Sequence, residues 1–84
     1  MYAGIGEKLY QLDNGNYLFV QDSSDGGYDY TYLDGKTRSG IDGGVIEDTL
    51  TSDDEVLAVI LSGLGLDEVS YEPSELDYWE HFDA

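Results

Sequence analysis

Apolar and polar positions alternate with period two in the first part of the chain and recur at three- and four-residue spacing in one later stretch. The pattern therefore predicts strands first and a helix after them. Lys8 to Leu12 and Tyr17 to Gln21 read as the first two strands. Between them Asn14-Gly15 suits a two-residue type I′ turn, which needs positive φ at both central positions. The run Asp22-Ser23-Ser24-Asp25-Gly26-Gly27 consists of turn formers. A third strand from Tyr28 to Leu33 puts Tyr28, Tyr30 and Tyr32 on one face and Asp29, Thr31 and Leu33 on the other. Asp34-Gly35 is a second hairpin signal. It leads to a short fourth strand within Lys36 to Ile41, closed by Asp42-Gly43-Gly44. That segment is weakly apolar and reads as an edge, with Lys36 and Arg38 opposing pairing with other molecules.

The helix is expected over Asp53 to Ser62. Ser52-Asp53-Asp54-Glu55 has the S-x-x-E form of a capping box, its acids lie at the positive end of the helix dipole, and Gly63 and Gly65 supply stops. Val56, Leu57, Ile60, Leu61 and Leu64 form one apolar face, which must cover the sheet. A shorter helix is expected from Glu75 to about Phe82, capped by Ser74 after Pro73, with Leu76, Trp79 and Phe82 inward. Leu66 to Tyr71 offers an additional strand interrupted by Asp67-Glu68. The expected fold is α+β: an antiparallel meander of three to four strands packed against one main C-terminal helix plus a short terminal helix. Residues 1–84 read as a single small acidic domain.

Composition supports folding and narrows the class. A domain of 84 residues buries roughly 60% of its unfolded surface, room for one thin core and no deep cleft. At 40% hydrophobic, with eight Tyr, two Phe and one Trp, the chain is too apolar for a disordered acidic tail. The absence of Cys excludes disulfides, thiolate zinc sites and cysteine nucleophiles. The longest apolar run, Val56 to Leu61, has six residues against ~20 for a membrane span. The start shows no basic segment followed by an apolar one, so no signal peptide is expected and a cytoplasmic location is.

Charge changes the picture most. The net charge is -16, and all twelve acids from Gly43 onward stand without a single Lys or Arg. Residues 1–42 hold seven acids against Lys8, Lys36 and Arg38, a net of -4, which leaves -12 for the remainder. Such a surface repels nucleic acid and anionic membrane and attracts basic protein surfaces.

No chemistry-bearing motif stands out. A calcium loop starting at Asp22 would meet its required glycine at Gly27, but its twelfth position is Leu33 where a bidentate Glu is needed. His81 is the sole imidazole, between Glu80 and Phe82, and reads as a helix-end residue rather than a catalytic base. Neither a P-loop nor a dinucleotide fingerprint occurs. No cofactor, metal site or enzymatic activity is expected. The tyrosine row could stack single-stranded nucleic acid only with a basic groove beside it, which the charge opposes. Packing under the helix or along a half-exposed face accounts for it, with a protein-binding face as the alternative.

The acidic excess has two readings. One is solubility alone. The other is mimicry: duplex DNA carries a negative charge per ~1.7 Å of axis, and carboxylates on a small rigid domain can occupy the phosphate track of a DNA-binding protein. Glu47, Asp48, Asp53, Asp54 and Glu55 begin such a row, and Asp67, Glu68, Glu72, Glu75, Asp77, Glu80 and Asp83 extend it. Tyr71, Tyr78 and Trp79 would be aromatic anchors beside it. The partner implied is a basic protein surface, with a DNA-binding protein as the specific form.

Tyr28-Asp29-Tyr30-Thr31-Tyr32, then Ile41-Asp42-Gly43-Gly44-Val45 and an acidic lead into a helix, resembles small domains of unknown function in large polyvalent and conjugative-element proteins of gut Firmicutes. The resemblance covers residues 17–66. It implies a mobile-element setting, where antirestriction and DNA-mimic proteins also occur, and it carries over no catalytic or ligand residue. An accessory domain acidic only for solubility is the alternative within that setting.

Overall fold

The computed structural model describes residues 6–23, 26–46 and 52–74. In chain order the described elements are β1 Glu7–Leu12, β2 Tyr17–Asp22, β3 Tyr28–Leu33, β4 Gly40–Ile46, α1 Asp53–Gly63 and β5 Tyr71–Pro73. The strands form one antiparallel sheet in the order β4-β3-β2-β1-β5. The fold is α+β, as the periodicities predict. It has five strands rather than three to four, and its main helix lies mid-chain rather than at the C-terminus. The expected helix from Glu75 to Phe82 falls outside the described residues.

Strand β5 is the reason for both corrections. After α1 the Gly65 N–H donates to the Ser62 carbonyl (3.1 Å) and the Leu66 N–H to the Leu61 carbonyl (2.8 Å), turning the chain back toward the sheet. Asp67-Glu68 belongs to a turn, closed by the Val69 N–H on the Leu66 carbonyl (3.0 Å), so the extra strand begins only at Tyr71. The Asp13 N–H donates to the Ser70 carbonyl and the Ser74 N–H to the Leu9 carbonyl, both at 2.9 Å, seating β5 beside β1. Three residues are too few to show a period of two in sequence.

Two hairpins differ from their sequence signals. Pairing of Gln11 with Tyr17 and of Leu9 with Phe19, with the Leu12 N–H on the Asn16 carbonyl (2.9 Å), leaves Asp13, Asn14 and Gly15 as a three-residue loop. Gly15 has φ 91° and Asn14 does not share the positive φ of a type I′ turn; a type I turn ending in a left-handed glycine fits this loop length. Asp34-Gly35 is likewise no two-residue turn. The loop runs to Ser39, whose carbonyl accepts the Asp34 N–H at 2.9 Å. Strand β4 therefore starts at Gly40 and runs through Gly43-Gly44 instead of ending there. Tyr30 explains those glycines, because a Cβ on Gly44 would come within 2.9 Å of its hydroxyl and one on Gly43 within 3.1 Å of its carbonyl oxygen. Lys36 and Arg38 lie in the preceding loop and do not guard the strand.

Helix α1 matches its local signals. The Ser52 hydroxyl accepts the Glu55 N–H at 3.2 Å, and Val56, Leu57, Ile60 and Leu61 are buried on one face. They pack on Tyr10 and Leu12 of β1, Leu18 and Val20 of β2 and Tyr28 of β3, each buried helix side chain stabilising the fold by roughly 1.5 to 3 kcal/mol. Tyr30 and Tyr32 are half-buried against the same cluster, so the tyrosine row packs under the helix. Leu9, Phe19 and Leu33 form a smaller buried cluster on the other face with Tyr17 beside it.

Candidate functional site

The start of α1 gathers acids because three successive acids, Asp53, Asp54 and Glu55, occupy its first turn, where the dipole favours negative charge. Asp53 and Asp54 bind to the sheet strands. Asp53 accepts the Lys8 ammonium at 2.6 Å, and that hydrogen bond holds the Lys8 pKa above its ordinary value. The pair is surface-exposed, with 48% of the Lys8 side chain open, and contributes about 0 to 1 kcal/mol. Asp54 accepts the Tyr71 hydroxyl at 3.0 Å. Desolvation, then that bond, raise the Tyr71 pKa. Tyr71 also meets Tyr10 edge to face, with centroids 5.8 Å apart. These contacts tie the helix start to β1 and β5.

Strand pairing brings two further acids to this end of the sheet. Glu7 opens β1, and Asp22 closes β2 with its carboxylate on the Gly6 N–H at 3.0 Å. Sequence reasoning left both out of the candidate surface. The hairpin between β1 and β2 was the available signal, since any register near the observed one sets Glu7 beside Gln21 and Asp22.

The other candidate residues are spread apart. Asp67 and Glu68 sit in the turn past the far end of α1, about 16 Å along its axis from the first turn, beside the β1 end where Asp13 bonds Ser70. Glu72 is exposed on β5 opposite Gln11, and Tyr71 is half-buried. Glu47, Asp48, Glu75, Asp77, Tyr78, Trp79, Glu80 and Asp83 lie outside the described residues. The described carboxylates thus occupy both ends of the sheet rather than one continuous row.

Among the described residues no three His, Cys, Asp or Glu side chains are grouped to hold a metal ion. A shallow groove of about 220 Å³ is lined by Gln11, Leu12, Asp13, Ser70, Tyr71 and Glu72. Its lining offers the carboxylates of Asp13 and Glu72 and the hydroxyls of Ser70 and Tyr71. His81 lies outside the described residues. No described helix is long and apolar enough to cross a membrane.

Sheet, helix and surface together define a small acidic α+β domain whose polar groups are used for capping and cross-bracing. The chain belongs to the family of large polyvalent protein-associated domain 16, whose model matches residues 4–83. That span extends past both ends of the 17–66 stretch carrying the resemblance seen in sequence. Neither a curated protein nor a solved structure matches the chain significantly.

Proposed function

We propose that the domain is a non-enzymatic interaction module of a polyvalent protein whose acidic surface engages a basic protein surface, with mimicry of DNA phosphates as its most specific form. The observation supporting this reading is the helix-start end of the sheet, where Glu7, Asp22, Asp53, Asp54 and Glu55 lie near Lys8, the one Lys or Arg among the described residues at that end, which is engaged by Asp53. An excess of carboxylates over bases on a rigid support attracts a basic track and steers its approach. The partner is a protein, since a net charge of -16 repels nucleic acid and anionic membrane.

A second reading has a specific observation in its favour. Asp67 and Glu68 lie at the opposite end from the helix start, as expected of an accessory domain acidic for solubility alone. The two readings part on a competition experiment. A partner is retrieved from the native host by pull-down at low and high salt, then titrated with the domain and a DNA duplex of arbitrary sequence. Mimicry requires competition, affinity that falls steeply with salt, and a larger loss from Asp54→Lys with Glu55→Lys than from Asp67→Lys with Glu68→Lys. Simultaneous binding of domain and duplex would remove mimicry, and equal losses from both pairs would remove the helix-start surface. Each variant is first checked for its fold, because acids in the first turn also favour the helix.

A further inference from the structure

Three pairs among the described residues set a glycine directly after Asn or Asp: Asn14-Gly15, Asp34-Gly35 and Asp42-Gly43. A glycine nitrogen has no side chain beside it to hinder attack on the preceding side-chain carbonyl carbon, so each pair can close a five-membered succinimide. In an unstructured chain at neutral pH Asn14 would react first, because a carboxylate is a poorer electrophile than an amide. The fold reorders the three.

Asn14 and Asp34 are held away from reaction. The Asn14 side-chain oxygen accepts the Asn16 N–H at 3.0 Å and its nitrogen donates to the Tyr32 hydroxyl at 2.9 Å, while the Gly15 N–H closes the loop on the Leu12 carbonyl at 3.2 Å. The Asp34 carboxylate accepts the Lys36 and Thr37 N–H groups at 2.8 and 3.0 Å, and the Gly35 N–H donates to the Asn16 side chain at 3.1 Å. In both pairs the side chain and the glycine nitrogen bond to different groups. Asp42-Gly43 is the exception, since the Asp42 carboxylate accepts the Gly43 N–H itself at 2.8 Å.

The ladder explains this geometry. The Ser23 N–H on the Gly27 carbonyl marks a bonded position between β2 and β3, and alternation from there gives the main-chain groups of Tyr30 and Tyr32 to β4, where they meet Gly44 and Asp42. Gly43, between those two, turns its N–H to the open edge of the sheet. Both Asp42 and Gly43 are exposed. Tyr32 pairs with Asp42 and Leu33 with Gly40, so Ile41 is left unmatched and Asp42 borders a break in the regular ladder.

We propose that Asp42-Gly43 is an isomerisation site, at which Asp42 converts to isoaspartate through a succinimide while the chain stays folded. With the carboxyl in its acid form, the Gly43 nitrogen bonds to Cγ of Asp42 and gives up its proton, and a C–O bond breaks to release water. Water then adds back to the ring. Opening at the Cγ–N bond restores Asp, and opening at the bond between the main-chain carbonyl and nitrogen gives isoaspartate. Nothing is oxidised or reduced, and water is the sole co-reactant. Holding nitrogen and carboxyl together removes part of the orientational barrier that an open chain meets. The product carries the main chain through the side-chain carboxyl, lengthens β4 by one methylene, and shifts Gly44 from its place against the Tyr30 ring.

The wild-type chain tests the site directly. It is incubated in slightly acid buffer, folded in one arm and in urea in the other, then digested for peptide mapping. Isoaspartate is read by enzymatic methylation of its free α-carboxyl, and loss of the Asn14 amide by mass. In the folded arm isoaspartate should form at Asp42 about tenfold or more faster than at Asp34, with the Asn14 amide retained. In urea the advantage of Asp42 over Asp34 should vanish and Asn14 should lose its amide. Asp42→Glu, which could close only a six-membered ring, should show no modification at that position with its circular dichroism spectrum unchanged. Equal folded rates at Asp34 and Asp42, or a rate at Asp42 no greater folded than in urea, would overturn the proposal. So would a folded chain with no isoaspartate at Asp42 by the time Asn14 in urea is largely converted.

Discussion

Gly35 packs against the backbone carbonyl of Gly15, leaving no space for a Cβ between the β1–β2 loop and the loop that leads into β4. The Asn16 side chain bridges the two loops. Its carbonyl oxygen accepts the Gly35 N–H at 3.1 Å, and its amide nitrogen donates to the Tyr32 hydroxyl at 2.8 Å. Asn14 donates to the same hydroxyl at 2.9 Å. Gly35→Ala should therefore destabilise the domain by about 1 to 3 kcal/mol, the usual cost of overpacking. Gly63→Ala, with open space around the added methyl, should leave stability unchanged or raise it by about 0.4 to 1 kcal/mol. Urea denaturation of both variants makes the comparison, and an equal response would mean that the loops separate at little cost.

Packing of α1 on the sheet makes the second prediction. Leu57 and Ile60 are each 1% exposed, so truncating either to Ala should cost roughly 2 to 5 kcal/mol. Val59 is 43% exposed on the same helix, and its truncation should cost far less. Ser52→Ala should lose about 0.5 to 2 kcal/mol with the cap. Losses below ~0.5 kcal/mol at both Leu57 and Ile60 would mean the helix is not seated as described.

Salt and acid form the third. With nineteen acids against three bases, repulsion outweighs pairing, so thermal melts at pH 7 should rise in temperature with added sodium chloride. Moderate acid should stabilise for the same reason. Asp34 sets an opposing limit: its carboxylate accepts the Thr37 and Lys36 N–H groups, which hold its pKa below the ordinary value. A depressed carboxylate contributes stability above its unfolded pKa and loses it as pH falls through its folded pKa. Stability should thus pass through a maximum in the acid range and then decline, with an earlier decline in wild type than in Asp34→Ala.

The alkaline limb runs the other way. Burial raises the pKa of Tyr10, and desolvation followed by the bond to Asp54 raises that of Tyr71. Lys8 is raised by its bond to Asp53. All three then favour the folded state fully below their unfolded pKa values, near 10, and this support is lost as pH rises through the folded ones. Tyrosinate absorbance should show Tyr10 and Tyr71 titrating late until the domain unfolds. Tyr71→Phe should remove one of them and flatten the loss of stability above pH ~10. Ionisation of Tyr10 at the ordinary tyrosine pKa before unfolding would contradict its burial.

Local information in the sequence determined the elements that need only a window of neighbours. Ser52 and Glu55 with the spacing of Val56, Leu57, Ile60 and Leu61 specify α1, because cap and apolar face both lie within three turns. Alternation in Tyr28 to Leu33 specifies β3 to the residue. Tertiary structure decided where glycine marks a stop and where it marks a close approach. Gly43 and Gly44 look like a turn in one dimension and are strand interior because Tyr30 of β3 lies against them. It also decided that three residues after the helix join the sheet, since Tyr71 to Pro73 have a strand's identity only through their bonds to β1. The acidic surface divides the same way. Net charge and the acids of the first helical turn are local properties, whereas the placing of Glu7 and Asp22 at one end of the sheet depends on strand register, and register is set by contacts between residues far apart in the chain.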